Sequence, residues 1–240
     1  MTDLPDSRDH ALPCRPTVSC TADIAAPGTV EIEGGLLFSQ LGGPRNEWSY
    51  PFLIKQTLTH QIQLQVASNG FTTVHAAVPA QYLDNVGAGL KLHLLDQSDA
   101  WPSLAITALV TVPTFPRRGY VRMDDGILTG HASKDIGSLH VDWNVGLDLW
   151  RLDATRVSQG FTALAFSTSL QPPFSIAIEG YAFSDAGPVA PRDAGVRIVV
   201  ATTPRPWLVF DVGGDAGLFP STRSFSAFVG MTVIPVVLWR

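Results

Sequence analysis

The chain is short of charge. Asp, Glu, Lys and Arg make up 15% of its 240 residues, against roughly a quarter in an ordinary soluble domain. Long apolar runs are missing as well: no stretch reaches the roughly 18 apolar residues of a spanning helix. There is no basic excess. The formal net charge is −5 and the 16 Lys and Arg are scattered, so nothing gathers the positive patch that phosphates require, and nucleic acid is excluded as a partner. Only two cysteines occur, Cys14 and Cys20. No further Cys sits near them to complete a ligand set, so no metal centre is implied. No nucleotide motif is present, and no cofactor is expected.

What is present is alternation. In "SLHVDWNVGLDLW", Leu139, Val141, Trp143, Val145, Leu147 and Leu149 share one parity. Ser138, His140, Asp142, Asn144, Gly146 and Asp148 share the other. Period 2 means a β-strand with the two sets on opposite faces. The same pattern recurs from Thr29 onward in "TVEIEGGLLF", "WSYPFLIKQTL", "QIQLQVA", "DNVGAGLKLHLL" and "SLAITALVTV", and more weakly in "GILTGHASKDI". After the opening stretch it continues in "FTALAFSTSL", "FSIAIEGYAF", "GVRIVVAT", "PWLVFDVG" and "SFSAFVGMTV". That makes 12 candidate strands, with no convincing helical period between them.

An apolar, poorly charged chain of this kind is either a soluble β protein with an apolar surface or a transmembrane barrel. The connections favour the barrel. Short ones, such as "TH", "GS", "QPP" and "TPR", alternate with long ones, such as "SQLGGPRNE", "SNGFTTVHAAVPAQYL", "RLDATRVSQG" and "SDAGPVAPRDA". An up-and-down sheet puts alternate connections at opposite ends, and outer-membrane barrels pair short periplasmic turns with longer extracellular loops. An even strand number leaves both termini on the periplasmic side. Closure is required because lipid offers no partner to unpaired N–H and C=O groups. The expected fold is therefore an all-β, closed, antiparallel up-and-down transmembrane barrel of about 12 strands over 29–240, placed in the outer membrane.

Residues 1–28 are aperiodic and are expected to form a mobile lead-in. They show no positive n-region and no apolar h-region, so they are not read as a signal peptide. Cys14 and Cys20 within them are a disulfide candidate, which requires an oxidising compartment such as the periplasm; two unpaired thiols are the alternative. Trp48, Trp101, Trp150 and Trp207 fall at strand ends, as interfacial girdle residues do. Trp143 falls in mid-strand, outside the girdle.

In such a barrel the polar parity faces the lumen. The lumen-lining candidates are Glu31, Glu33, Lys55, Lys91, His93, His131, Ser133, His140, Asp142, Asn144, Asp148, Glu179 and Arg197. They either line a gated or selective conduit or pair across the lumen and plug it. His131 and Ser133 share a strand face, and with Asp135 or Asn144 they would suit an acyl hydrolase dyad. That reading is set aside because both point inward, away from any acyl chain, and no catalytic residue is assigned. In "PTFPRRGYVRMDDG", Arg117, Arg118 and Arg122 lie near Phe115 and Tyr120. This loop is read as solvated, with lipopolysaccharide binding or a lumen constriction as alternatives.

"LPCRPTVSCTADIAAPGTVEIEGGL", "SYPFLIKQTLTHQIQLQVASNG", "VGAGLKLHLLD", "ALVTVPT" and "ASKDIGSLHVDWNVGL" resemble a family of outer-membrane barrel proteins associated with the meta-cleavage pathway of phenol degradation and described as transporters. The resemblance runs from Leu12 to about Val233, includes the paired N-terminal cysteines and contains no catalytic motif. It implies a closed outer-membrane barrel passing small, hydrophobic or aromatic compounds. The end departs from the pattern, because "TVIPVVLWR" runs on past Pro235 instead of closing on an aromatic. The expected function is a passive channel for small solutes. Its partners are outer-membrane lipid and lipopolysaccharide, the solute, and the barrel-assembly machinery. An outer-membrane acyl hydrolase and a non-conducting structural barrel are the alternatives.

Overall fold

Alternating side chains require extended backbone, and extended backbone in lipid requires a ladder without free edges. The computed structural model describes residues 10–15, 17–112, 126–152, 155–187, 190–219 and 223–239; the side chains of 112, 150–152 and 155 fall outside the description. All regular structure among the described residues is strand. The strands are β1 (Thr29–Leu41), β2 (Asn46–Ser49), β3 (Phe52–Thr57), β4 (Ile62–Ser68), β5 (Phe71–His75), β6 (Ala80–Leu83), β7 (Val86–Leu95) and β8 (Ser103–Val112). They continue with β9 (Gly126–Ile136), β10 (Leu139–Leu152), β11 (Thr155–Ser169), β12 (Phe174–Phe183), β13 (Asp193–Arg205), β14 (Leu208–Gly217) and β15 (Arg223–Val237).

These strands form one antiparallel sheet in which β15 also pairs with β1, from Thr29 opposite Val237 to Leu41 opposite Arg223. The result is a closed 12-strand barrel. The three remaining strands are bent continuations of barrel strands. β2 leads into β3 across Tyr50 and Pro51, β5 continues β4 across Asn69 and Gly70, and β6 leads into β7 across Asp84 and Asn85. β1 accordingly pairs with β3 along Val30–Gly34 and with β2 along Leu37–Gln40. The bends are stacked: Tyr50 N donates to Asn69 O at 3.1 Å. Gly70 has φ +66°, and a Cβ there would lie 2.2 Å from Tyr50 O, so the position takes only glycine.

Several expected loops are strand. "SQLGGPRNE" shrinks to the connection 42–45, "SNGFTTVHAAVPAQYL" contains β5 and β6, and "RLDATRVSQG" is mostly β10 and β11. Backbone pairing outlasts the apolar alternation at this end of the barrel, so a pattern-based reading cuts the strands short. At the other end Gly137 and Ser138 join β9 to β10 directly, with Gly137 at φ +64°, the left-handed conformation that two-residue hairpins need.

The faces are inverted relative to a soluble barrel. Trp143, Val145, Leu147 and Leu149 of β10 are exposed, as are Leu90 and Leu92 of β7 and Val196, Ile198 and Val200 of β13. Glu31, Glu33, Lys55, Lys91, Asn144 and Glu179 are among the most buried side chains. Trp48, Trp101 and Trp207 are exposed near strand ends; the Trp150 side chain lies outside the described residues. Trp143 solves its mid-strand problem by hydrogen bonding. Its Nε1 donates to Thr162 Oγ1 on β11 at 3.1 Å, and that hydroxyl donates to Asn144 O at 3.1 Å. Pro235 sits where the β1–β15 register shifts between Val30 and Ile32, a bulge position that tolerates a missing N–H. β15 therefore pairs past it to Val237.

The described part of the expected lead-in is not free, while residues 1–9 lie outside the described residues. Ala11, Ala22, Ile24 and Ala25 are buried, and residues 12–22, apart from 16, run inside the barrel before Gly28 joins the wall ladder between Thr57 and Leu238. An aperiodic sequence with no strand partner reads as mobile, but here side chains of the wall hold the backbone, and nothing in the local pattern encodes that.

A charge on the outer face tests the inversion. Val145→Arg is expected to cost roughly 2–4 kcal/mol near the midplane, read as a lowered urea midpoint for refolding into lipid vesicles.

Candidate functional site

Strand parity points each wall group inward, and register then brings them together. On β1, Glu31 and Glu33 are two residues apart, and Lys55 of β3 lies opposite Glu31. Lys55 Nζ sits 3.2 Å from Glu31 Oε2 and 2.7 Å from Glu33 Oε1, with all three side chains almost fully buried. Charges this deep need partners, because an unpaired one is costly in a low dielectric.

Most of the remaining partners come from the backbone of the N-terminal segment. Leu12 N donates to Glu31 Oε1 at 2.7 Å, while Cys14 N and Arg15 N donate to Glu33 at 3.0 and 2.7 Å. On β12, Glu179 accepts from Val18 N at 2.9 Å, and from Ser19 N and Ser19 Oγ at 2.6 Å each. On β10, Asn144 Oδ1 accepts from Cys20 N at 2.6 Å while its Nδ2 donates to Cys20 O at 3.1 Å. On β9, Ser133 Oγ accepts from Ala22 N at 2.7 Å. The wall cations take the carbonyls. Lys55 Nζ donates to Leu12 O at 2.5 Å, and Lys91 Nζ donates to Thr21 O and, at 3.0 Å, to Asp23 O. Wall carboxylates thus meet backbone N–H groups and wall ammonium groups meet backbone C=O groups, as charge-assisted bonding favours. Cys14 and Cys20 are joined by a disulfide. It closes the segment on itself and does not tie it to the wall.

The expected lumen residues are therefore mostly brought together around one occupant. His93 Nδ1 lies 3.2 Å from Ala22 O, and its Nε2 lies 2.9 Å from Asp96. His140 bridges Asp135 at 2.6 Å and Asp142 at 3.1 Å near the start of β10. Asp148 lies on the inner face of β10, and Arg197 meets Asp215 at 2.8 Å and Glu179 at 3.5 Å. His131 and Ser133 do not form a dyad. The Ser133 hydroxyl donates to Asp142 Oδ1 at 2.5 Å, and His131 Nε2 pairs with Thr107 Oγ1 at 2.8 Å. Both are sealed under the segment, so neither nucleophile activation nor acyl access is available. Phe115, Arg117, Arg118, Tyr120 and Arg122 lie outside the described residues.

A second cluster escaped sequence reasoning. Arg223 Nη2 donates to Asp193 Oδ2 and to Tyr181 OH, each at 2.7 Å. Tyr181 OH lies 3.3 Å from Asp215 Oδ1. Asp211 and Asp215 were recoverable, because in "LVFDVGGDAG" they occupy the parity opposite Phe210 and Val212. Arg223 was not, since it lies beyond the register shift between Gln40 and Leu41.

No family model and no curated protein matches the chain. Its fold is similar to that of solved outer-membrane proteins. The COG4313 outer membrane channel from Pseudomonas putida F1 superposes with TM-score 0.62 at 14% identity, over 97% of this chain and 99% of that one. A bacterial polysaccharide outer membrane secretin gives 0.48 at 8% identity, over 87% and 99%. OprB of Pseudomonas putida gives 0.36 at 10%, over 85% and 91%. At these identities the likeness is one of fold.

Two substitutions test the wall–segment bonds. Glu179→Gln removes the charge that holds Val18 and Ser19; with roughly 1.5–3 kcal/mol in such bonds, their amides are expected to exchange deuterium about tenfold faster or more, while the Leu12 amide is unaffected. Lys55→Met strands Glu31 and Glu33 and is expected to cost about 3–5 kcal/mol of barrel stability, measured by denaturant unfolding in vesicles.

Proposed function

We propose that the protein is an outer-membrane channel for the passive passage of small solutes, hydrophobic and aromatic compounds among them, with its N-terminal segment as an internal plug. One observation carries this reading. The barrel turns its apolar parity outward, and its polar interior is filled by the N-terminal stretch of chain, held to the wall through hydrogen bonds and packing and by no covalent crosslink. A barrel needed only as a scaffold could fill its lumen with wall side chains, as eight-stranded barrels do. Here the filling can leave without breaking a covalent bond.

The fold likeness to a channel supports the reading, as does the resemblance of the strand phrases to the phenol-pathway transporters. Lipid and lipopolysaccharide contacts at the exposed aromatic rims, and insertion by the barrel-assembly machinery, belong to the same proposal. Hydrolysis is disfavoured because Ser133 and His131 are bonded to other groups, Asp142 and Thr107, beneath the segment. The rival is a sealed structural barrel, in which the segment stays in place.

Liposome swelling with graded sugars and hydroxylated aromatics separates the two. Faster swelling for small solutes than for large ones is the expected result, and it should increase when Glu33 and Glu179 are both replaced by Gln. Liposomes that swell no faster than empty controls, for wild type and variant alike, would establish the sealed barrel instead.

A further inference from the structure

The bonds between segment and wall are unevenly spread around the lumen. On β3, β7, β9, β10 and β12, and on the Glu31–Glu33 part of β1, wall groups and segment backbone are joined as described above. The β14–β15 side has bonds, among the described residues, only at its end: Ala11 N donates to Pro206 O at 2.8 Å in the turn before β14, and Leu238 N, just past β15, donates to Gly28 O at 2.8 Å. Among the described residues, both carboxylate oxygens of Asp211, Nη1 of Arg15 and Oγ1 of Thr232 are buried without a hydrogen-bond partner. Asp211 is 5% exposed. These atoms are neighbours. Asp211 pairs in register with Gly230, and Gly230 with Gly35; Thr232 is one inward-facing position along from Gly230. The two glycines leave the wall without side chains there, and the Arg15 guanidinium lies over them. A Cβ on Gly35 would lie 2.7 Å from Arg15 Nη1; one on Gly230 would lie 3.0 Å from both Arg15 Nη1 and Asp211 Oδ2.

Buried polar atoms without partners gain bonds when water arrives, whereas bonded ones lose them. The β14–β15 side is therefore where segment and wall part most readily. The charge exposed there is negative. Arg197 lies between Glu179 and Asp215, and Arg223 between Asp193 and Asp215, so the carboxylates outnumber the wall arginines they hold. Asp211 adds another carboxylate, and its nearest cation, Arg15, belongs to the segment and moves with it. Acidic side chains along a narrow pore favour cations.

Resting on the channel reading above, we propose that the conducting route runs along the β14–β15 side of the lumen and that Asp211 is its selectivity residue, favouring cationic over anionic solutes. The wall then recognises solute charge at a carboxylate that is without a hydrogen bond and whose nearest cation, Arg15, leaves with the segment.

The test uses the full chain in planar bilayers under a potassium chloride gradient, with heat-modifiable gel mobility confirming that each variant is folded. The reversal potential is expected on the cation-selective side, and Asp211→Asn should lower the cation-to-anion permeability ratio about twofold or more. A cationic methanethiosulfonate should react with the Asp211→Cys variant and change its current. It should leave the Ala105→Cys variant on β8, opposite β14 in the ring, unchanged. Anion preference, or a ratio unmoved by Asp211→Asn, overturns the selectivity role. Reaction at the β8 variant but not at Asp211→Cys overturns the route. No conductance from folded wild-type protein overturns the channel reading and this proposal with it.

Discussion

Lipid offers no hydrogen bonds, and every feature of this barrel follows from that. A strand in hydrocarbon must find partners for its N–H and C=O groups on both edges, so the sheet closes β15 onto β1. Once closed, one parity of each strand faces acyl chains and the other faces the centre. The apolar parity goes outward because lipid accepts it without cost. The polar parity is left inside, where a ring of this size is too narrow to be simply open water. Trp143 shows how strictly the rule is kept: even on the lipid face its one polar atom has a cross-strand acceptor.

The inward set poses a second problem, which the N-terminal segment answers. Glu33, Glu179, Asn144, Ser133 and Lys91 come from separate strands and cannot all reach one another. An irregular chain threaded among them has its own unmet need, since its backbone groups would be buried without a ladder. Each deficit meets the other. Carboxylates accept from amides, lysines donate to carbonyls, and the mixed donor–acceptor side chain of Asn144 does both to Cys20. Lys55 with Glu31 and Glu33, and Arg223 with Asp193 and Tyr181, form wall clusters that are largely complete without the segment, and the first of them still reaches Leu12.

The sequence made the barrel legible because period 2 and turn spacing are local signals. Leu139 to Leu149 announce their face without any tertiary information. The ends of the strands were less visible: β5 and β6 pair through backbone atoms while Thr72, Thr73, Gln81 and Tyr82 carry no lipid-facing pattern. The lumen residues could be named by parity alone. What they bind could not, because the contacts join residues from 18 to 161 apart with no common spacing, among them Ser19 with Glu179 and Ala22 with Ser133. A stretch such as "CRPTVSCTADIAAPG" looks unstructured precisely because its partners are side chains scattered over the rest of the chain. Arg223 was hidden for another reason: the register shift opposite Leu41 breaks the parity rule that would have pointed it inward.

The placing of the disulfide bears on how such a lumen could open. A crosslink from segment to wall would have made the filling permanent. Cys14–Cys20 instead closes seven residues, 14–20, into a compact unit, one that holds its shape while its outer contacts exchange. On the channel reading, such a unit can move as a body. It would exchange bonds with Glu33 and Glu179 for bonds with water, and no backbone amide would be left dry on the way. A flexible strand of the same length would have to reorder each residue on return, at a cost of about 1–2 kcal/mol for each backbone fixed. A pre-closed loop avoids most of that cost, so displacement and reseating become changes of contact rather than of fold. The bonds that fill the lumen at rest are then compatible with its opening, and the tightness of the filling does not by itself argue for a sealed barrel.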